Sequence, residues 1–367
     1  MAWISEYSSR ASKTDRFAGN PDHIQLLAAG LFGEAGSLLT ELKKQKREEG
    51  GSYPKEPLRL KEDIGDFLWY FFRLVDLLQP KLVQEFDSSL GNIPIDTGNR
   101  YSKSLHLGAA VGKLMDALEA KPLLPADLNF ESIWKLLRQT AKEIDVSLEV
   151  AAKENLQKIF DRWPETEDYH DLFDNGFEEE ERLPRQLEIE FREKIRGKAG
   201  SVKPVVILRC NGVNFGDPLT DNNGDLDGYR YHDIFHFSYM VFLGWSPVIR
   251  ALMKCKRKSD PSVDEAEDGA RAVIVEEAVS AAVFSRIKTL GPNEKLEHID
   301  FDLLKMIKEF VKGYQVERVP LWQWEKAIIQ GHNLFRKLCE NNGGRLILNM
   351  HTKTLDYLPI DNGIPQP

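Results

Sequence analysis

Apolar residues recur at helical spacing along the first part of the chain, and the polar residues that break the pattern are acids. Between Leu26 and Leu42 the residues Leu26, Leu27, Leu31, Leu38, Leu39 and Leu42 keep one stripe, and Glu34 falls close to it instead of on the solvated back. Asp63 and Asp66 repeat the arrangement. Residues three apart share a helix face, so these two carboxylates project together, one turn before the apolar run Phe67, Leu68, Trp69, Tyr70, Phe71 and Phe72. An unpaired buried carboxylate costs several kcal/mol, and Lys43, Lys44 and Lys46 lie beyond the end of the stripe. The pattern therefore asks for a hard divalent cation. Glu62 points away from Asp63 on an ideal helix and is the poorer ligand.

The segment Leu105 to Leu118 has a similar apolar stripe and Gly spacing to Ala29–Leu42, with Ala109 or Ala110 where the acid would stand, and predicts a helix that completes the bundle. From Pro164 to Arg185 the chain turns acidic and poor in aliphatic residues, with Glu178 to Glu181 in a row, and reads as a linker over 166–185. The period then changes to two. Gln186 to Phe191 and Pro204 to Cys210 predict strands, and Arg345 to Leu358 carries two more after Gly343-Gly344, which ends a long helix beginning near Leu321. The fold class expected is mainly α: an all-α helical bundle over 1–165, then an α+β domain over 186–367 with a small antiparallel sheet.

Composition narrows the function classes. A chain of 367 residues exceeds the usual single-core size, and 42% hydrophobic residues supply two cores. A net charge of −9 argues against nonspecific nucleic-acid binding. The cysteines, Cys210, Cys255 and Cys339, are odd in number and widely spaced, which gives neither a disulfide framework nor a zinc motif. The start Met-Ala-Trp-Ile-Ser-Glu lacks a signal peptide, and the apolar run around Trp69 is short and interrupted by Asp66, Arg73 and Asp76. A cytoplasmic protein without membrane partners is expected.

At the acidic helices the chain resembles the MazG-like all-α nucleoside triphosphate pyrophosphohydrolases, whose signature is Glu-x-x-Glu on one helix and Glu-x-x-Asp on the next. Here these read Glu34-Ala-Gly-Ser37 and Asp63-Ile-Gly-Asp66, within the flanking patterns Gly-Leu-x-Gly-Glu-Ala-Gly and Gly-Asp-x-Leu-Trp-Tyr. Glu34 and Asp66 match, Asp63 is an acid shortened by one methylene, and Ser37 replaces a carboxylate with a hydroxyl. Glu41, about 10 Å of helix rise from Glu34, is a poor replacement for that lost acid. Asp145 to Pro164 looks like the family's last helix, and Tyr7, Ala11 and Thr14 fit its first. The resemblance covers about residues 1 to 165. It implies hydrolysis of (deoxy)nucleoside triphosphates to monophosphate and pyrophosphate with Mg2+, or Mn2+ in its place, held by Glu34, Asp63 and Asp66 as the catalytic and metal-binding acids. It also implies that Asn155, Lys158 and Arg162 contact the nucleotide and that the chain forms a homo-oligomer.

The second half has its own cluster. His232 and His236 are one turn apart and, with Asp233 and Glu276 or Glu277, make a candidate transition-metal site; a buried polar network joining two helices accounts for the same residues equally well. The adjacent His232-Asp233 also fits an HD-type phosphohydrolase, whose upstream His and downstream Asp lack clear counterparts. The stretch from Asp221 has the flavour of a calcium loop without its closing Glu, Ile234 standing there instead. Arg250, Lys254, Lys256, Arg257 and Lys258 read as a basic, solvated helix end. From Asp225 to Phe284 the chain resembles the domain that follows the pyrophosphohydrolase unit in some bacterial MazG-like proteins, through Gly228 to His236, Leu243 to Val248 and Glu267 to Ala272. That likeness brings no function with it. Two other readings of the whole stay open: a nucleotide-binding sensor in stress response or phage defence with a degenerate site at Ser37, and a hydrolase working through His232, Asp233 and His236.

Overall fold

The structure is a computed structural model that describes residues 3–47, 56–88, 100–119, 128–198, 201–288 and 296–360. The chain divides into two compact units, Met1–Glu165 and Thr166–Pro367. Among the described residues, no helix is long and apolar enough to cross a membrane.

The first unit is built of α1 (Trp3–Ser12), α2 (His23–Arg47), α3 (Glu56–Leu78), α4 (Lys81–Ser88), α5 (Arg100–Glu119), α6 (Phe130–Glu143) and α7 (Leu148–Arg162). The stripe read from the sequence on α2 buries Leu27, Leu31, Leu38 and Leu42, whereas Leu26 is partly exposed. On α3, Ile64, Phe67, Leu68, Phe71, Phe72, Leu74 and Val75 are all buried. Phe71 is the hub: it stacks on Trp134 of α6 and meets Phe72, Phe86 and Phe130 within 6.1 Å. Such ring pairs add about 0.5–1.5 kcal/mol each beyond their buried area. Helix α3 is thus fixed in rotation by its apolar side, which turns Asp63 and Asp66 toward α2 and α7. Two glycines let those neighbours come close. A Cβ at Gly30 of α2 would stand 2.2 Å from the Tyr70 ring, and one at Gly65 of α3 would stand 2.8 Å from the Ala151 carbonyl oxygen of α7. The predicted helix over 105–118 is α5, packed against α2, where Leu107, Val111 and Leu114 are buried.

The second unit carries β1 (Gln186–Lys198), β2 (Ser201–Cys210), β3 (Val213–Leu219), α8 (Asp233–Leu243), α9 (Pro247–Met253), α10 (Pro261–Ala266), α11 (Ala270–Ile287), α12 (Phe301–Phe310), α13 (Leu321–Glu340), β4 (Gly343–Asn349) and β5 (Thr354–Leu358). The strands form one antiparallel sheet in the order β3-β2-β1-β4-β5. One face is apolar, with Ile189, Phe191, Val206, Leu208, Leu346 and Leu348 buried; the other carries Glu188, Glu190, Arg192 and Arg345 in ion pairs. Phe237 of the wholly buried α8 meets Phe191 and Phe215 on the apolar face. Helix α13 crosses α8 at Gly331, where a Cβ would lie 3.0 Å from the Phe235 ring. The chain turns from α13 into β4 through Asn342 at φ 50° and Gly343 at φ 126°.

Three expectations are corrected here. The stretch 166–185 belongs to the second unit: Phe173 and Leu183 enter its core and Asp174 is fully buried, so acidic composition hid two apolar anchors. Of the basic residues read as a solvated helix end, Lys254 and Lys258 are exposed, but Arg250 and Arg257 are among the most buried side chains. Strand β3 was not predicted; its Gly216 and Pro218 and its largely exposed pattern are those of an edge strand.

Candidate active site

In the first unit the acids of α2 and α3 meet the polar face of α7. Asp66 is the centre. Its Oδ1 accepts from Asn155 Nδ2 at 2.7 Å, and Lys158 Nζ pairs with both carboxylate oxygens, at 2.6 Å to Oδ2. Tyr7 of α1 donates to Asn155 Oδ1 at 2.9 Å, which orients the amide so that its NH2 faces Asp66. Asn155 is nearly fully buried, and the bare backbone at Gly65 permits its approach. Lys158 also reaches Glu62 Oε1 at 3.3 Å.

The remaining acids are not settled in this way. Burial, together with the negative charges of Asp66 and Asp63, raises the Glu34 pKa to about 7, with Lys158 opposing the rise. Asp63 is likewise raised to about 7, by burial first and then by Glu41, Asp66 and Glu62. Asp63 Oδ2 is buried without a hydrogen-bond partner. The two shifts share a cause: several carboxylates lie together in a half-buried site whose lysine, Lys158, is engaged by Asp66. The Tyr70 hydroxyl is held neutral by burial and by the same acids, Glu34 and Asp66.

Glu34, Asp63 and Asp66 are thus brought together with Asn155 and Lys158. Arg162 ends α7, where its guanidinium lies 4.7 Å from the Trp163 ring centroid. Ser37 is exposed. Glu62 and Glu41 were undervalued from the sequence. Glu62 reaches the site because Lys158 draws it in from α7, and Glu41, nearly buried and paired with Lys44 at 2.5 Å, faces Asp63 because α2 and α3 pack side by side. Only a helix-pair register could have revealed either.

This donor set fits a divalent cation: oxygen ligands alone, one of them a buried oxygen lacking any hydrogen bond, and carboxylates whose mutual repulsion a cation would relieve. Glu34, Asp63 and Asp66 are the residues that would hold it.

The second unit's cluster has a different character. His236 is fully buried and its Nδ1 lies 2.9 Å from Glu276 Oε1. Glu276, itself fully buried, also accepts from Ser246 Oγ at 2.7 Å and Val248 N at 2.8 Å. Burial opposes charge on His236, but Glu276 and Glu277 outweigh it and raise its pKa. His232 is held by its Nδ1, 2.8 Å from the Tyr229 carbonyl, and by a parallel Tyr229 ring 4.2 Å away. Of the two glutamates expected near the histidines, Glu276 supports the outer edge of the His236 ring, and Glu277 faces the inner nitrogens. The calcium-like stretch is used otherwise: Asp221 pairs with Arg230 at 3.0 Å and Asp227 with Lys288 at 2.7 Å.

The buried arginines pair in the same unit. Arg257 Nη2 and Nε hold Asp268 at 2.7 and 3.1 Å, and Arg250 Nη2 holds Asp174 at 2.7 Å. Burial pushes the Asp174 pKa up, but Arg185 and Arg250 prevail and hold it below the usual carboxylate range.

The MazG C-terminal domain family matches residues 168–361. The match spans more than half of the chain and nearly all of the second unit, and the chain belongs to the MazG-like family, with a MazG C-terminal domain. Membership sets it in a nucleotide-related, hydrolase-type context. No curated protein and no solved structure matches it.

Proposed function

We propose that the first unit hydrolyses (deoxy)nucleoside triphosphates to the monophosphate and pyrophosphate with Mg2+, and that Mn2+ can substitute. The observation that carries this reading is the uncompensated acid cluster: Glu34 and Asp63 raised to about 7 and a buried Asp63 oxygen without a partner, beside Asp66, which Lys158 and Asn155 hold in place. When bound, the cation supplies charge neutralisation at the phosphates. Water attacks the α-phosphorus, its oxygen forms the new P–O bond, the bond to the α–β bridging oxygen breaks, and pyrophosphate leaves. Glu62, outside the proposed ligand set and beside Lys158, accepts the proton of the attacking water in this reading. Lys158 neutralises phosphate charge on that side once the nucleotide competes for it. Asn155, locked by Tyr7, keeps Asp66 in register.

The test is incubation of the purified chain with each ribo- and deoxynucleoside triphosphate and Mg2+, with monophosphate and pyrophosphate measured and Asp66→Asn as control. Pyrophosphate that vanishes in the variant supports the enzyme. Bound nucleotide without pyrophosphate would instead support a sensor, the reading favoured by the exposed Ser37 at the position of the fourth acid.

A further inference from the structure

The histidine cluster of the second unit has features that a hydrogen-bonded core network does not need. Both rings are committed through Nδ1 to groups that can only accept: a backbone carbonyl for His232, at 2.8 Å, and a carboxylate for His236, at 2.9 Å. Each Nδ1 therefore carries a hydrogen, which leaves Nε2 as the nitrogen of each ring that can coordinate an ion. Those two Nε2 atoms turn inward, toward a shared carboxylate, that of Glu277. His232 Nε2 lies 3.3 Å from Asp233 Oδ1 and 3.9 Å from Glu277 Oε2, and His236 Nε2 lies 3.5 Å from the same Glu277 oxygen. One ligand atom each from His232, Asp233 and His236 falls within a sphere where all lie within 4.8 Å of one another. His236 Nε2 is fully buried and makes no hydrogen bond.

We propose that His232, Asp233, His236 and Glu277 bind one divalent transition-metal ion of the zinc class, through both Nε2 atoms and two carboxylate oxygens. The spacing is suitable: ligands about 2.0–2.2 Å from a tetrahedral ion stand about 3.3–3.6 Å from one another. The two-nitrogen, two-oxygen donor set selects such an ion over Mg2+. The supports behind the ligands have the form that metal-bound histidines require. Glu276 orients His236 and is itself fixed by Ser246 and the Val248 amide, so the ring cannot swing when the ion leaves. The Tyr229 carbonyl and ring do the same for His232. The cluster meets solvent at Glu277, whose side chain is 43% exposed while those of His232 and Asp233 are 9% and 11%.

The experiment uses the full chain stripped with a chelator, titrated with Zn2+ by calorimetry and with Co2+ by visible absorption. The comparison is among the wild type, Glu277→Gln, His232→Asn and the first-unit double variant Asp63→Asn/Asp66→Asn. The expected result is one equivalent bound with a tetrahedral Co2+ band in the double variant, and the same tetrahedral equivalent in the wild type, where the acids of the first unit add only non-tetrahedral binding. Affinity should fall at least tenfold in Glu277→Gln, whose partly exposed side chain keeps the fold safe, and in His232→Asn. Loss of that equivalent in the first-unit variant, no binding by the wild type, or full affinity in Glu277→Gln with its circular dichroism unchanged would overturn the proposal. None of these readouts involves nucleotide turnover, so they stand apart from the fate of the first unit's activity.

Discussion

Asp63 and Asp174 are both removed from water, one in each unit, and their pKa values move in opposite directions. Burial raises Asp63 to about 7, and Glu41, Asp66 and Glu62 add to the rise. Asp174 experiences the same desolvation, yet Arg185 at 2.6 Å and Arg250 at 2.7 Å bring it below the ordinary range. The difference lies in who stands opposite. The second unit gives these buried charges partners within the chain, as Arg257 with Asp268 and Arg250 with Asp174. The first unit's acid cluster holds Asp66 with Lys158 but leaves Asp63 Oδ2 unsatisfied. Compensated charge builds a core, and uncompensated charge marks a site that waits for something to bind.

The largest effect expected from breaking this contrast is on the compensated side. Arg257→Ala leaves Asp268 buried and unpaired, and destabilises the second unit by about 3–5 kcal/mol. Hydrogen exchange read by mass spectrometry, peptide by peptide, should show the loss across β1 and α8 with no change in α2 and α3. Equal loss in both units would remove the distinction.

Next in size is the functional counterpart. Asp66→Asn retains shape and the bond from Asn155 but loses the charge that holds Lys158, and should lower pyrophosphate release by about 100-fold or more, with the melting temperature almost unchanged. Gly65→Ala comes third. Its Cβ would meet the Ala151 carbonyl oxygen at 2.8 Å, forcing α7 away from α3, and should cost about 1–3 kcal/mol of first-unit stability. Gly33→Ala on α2, with nothing within 4 Å, is the control and should stabilise the helix by about 0.5–1 kcal/mol. If both behave alike, close helix approach is not what aligns Asn155 with Asp66.

The smallest effect is a difference in pH response. Glu34 and Asp63 are raised in the folded state, so in a chelator their contribution to stability is full below pH about 4 and is lost as pH rises through about 7. In the second unit His332, buried with both ring nitrogens unbonded, is pushed down to about 4 by burial and by Arg336. Its contribution is present above the ordinary pH of about 6.5 and is lost as pH falls through about 4. Hydrogen exchange at pH 5 and pH 8, corrected for intrinsic rates, should show the first unit loosening at the higher value, with Glu34→Gln flattening that slope. His332→Gln should flatten the slope of the second unit at low pH. A first-unit slope unchanged in Glu34→Gln, or a low-pH slope of the second unit unchanged in His332→Gln, would contradict the assignment.

Much of this was legible in the chain. Helical spacing placed Glu34, Asp63 and Asp66 at the edge of an apolar stripe, because a 3.6-residue period fixes which face a side chain occupies. The strand at Gln186 followed from period two, and those at Pro204 and after Gly343 from short apolar, β-branched runs. Other features were hidden for identifiable reasons. The edge strand β3 buries little and so has no apolar alternation to read. The segment 166–185 is acidic in bulk, while its anchoring centres on a few residues, the buried Phe173, Asp174 and Leu183 with Tyr169 and Leu172 packed beside them. Arg250 and Arg257 look like any surface basic residues until Asp174 and Asp268 are brought opposite them from distant positions.

The sequence by itself determined the acid-bearing helices α2 and α3, the helices α5, α7 and α13, most strands, the acids of the first unit and the pairing of His232 with His236, since each is a matter of local pattern and spacing of one or two turns. The tertiary structure decided what those residues face. Packing of α2, α3 and α7 turned three separate polar faces into one site and drew Glu62 and Glu41 into it. Packing of α8 against α11 assigned Glu276 to the back of His236 and Glu277 to the front. The energy of a charge depends on its neighbours in space and on the water it has lost, and neither is a property of sequence position.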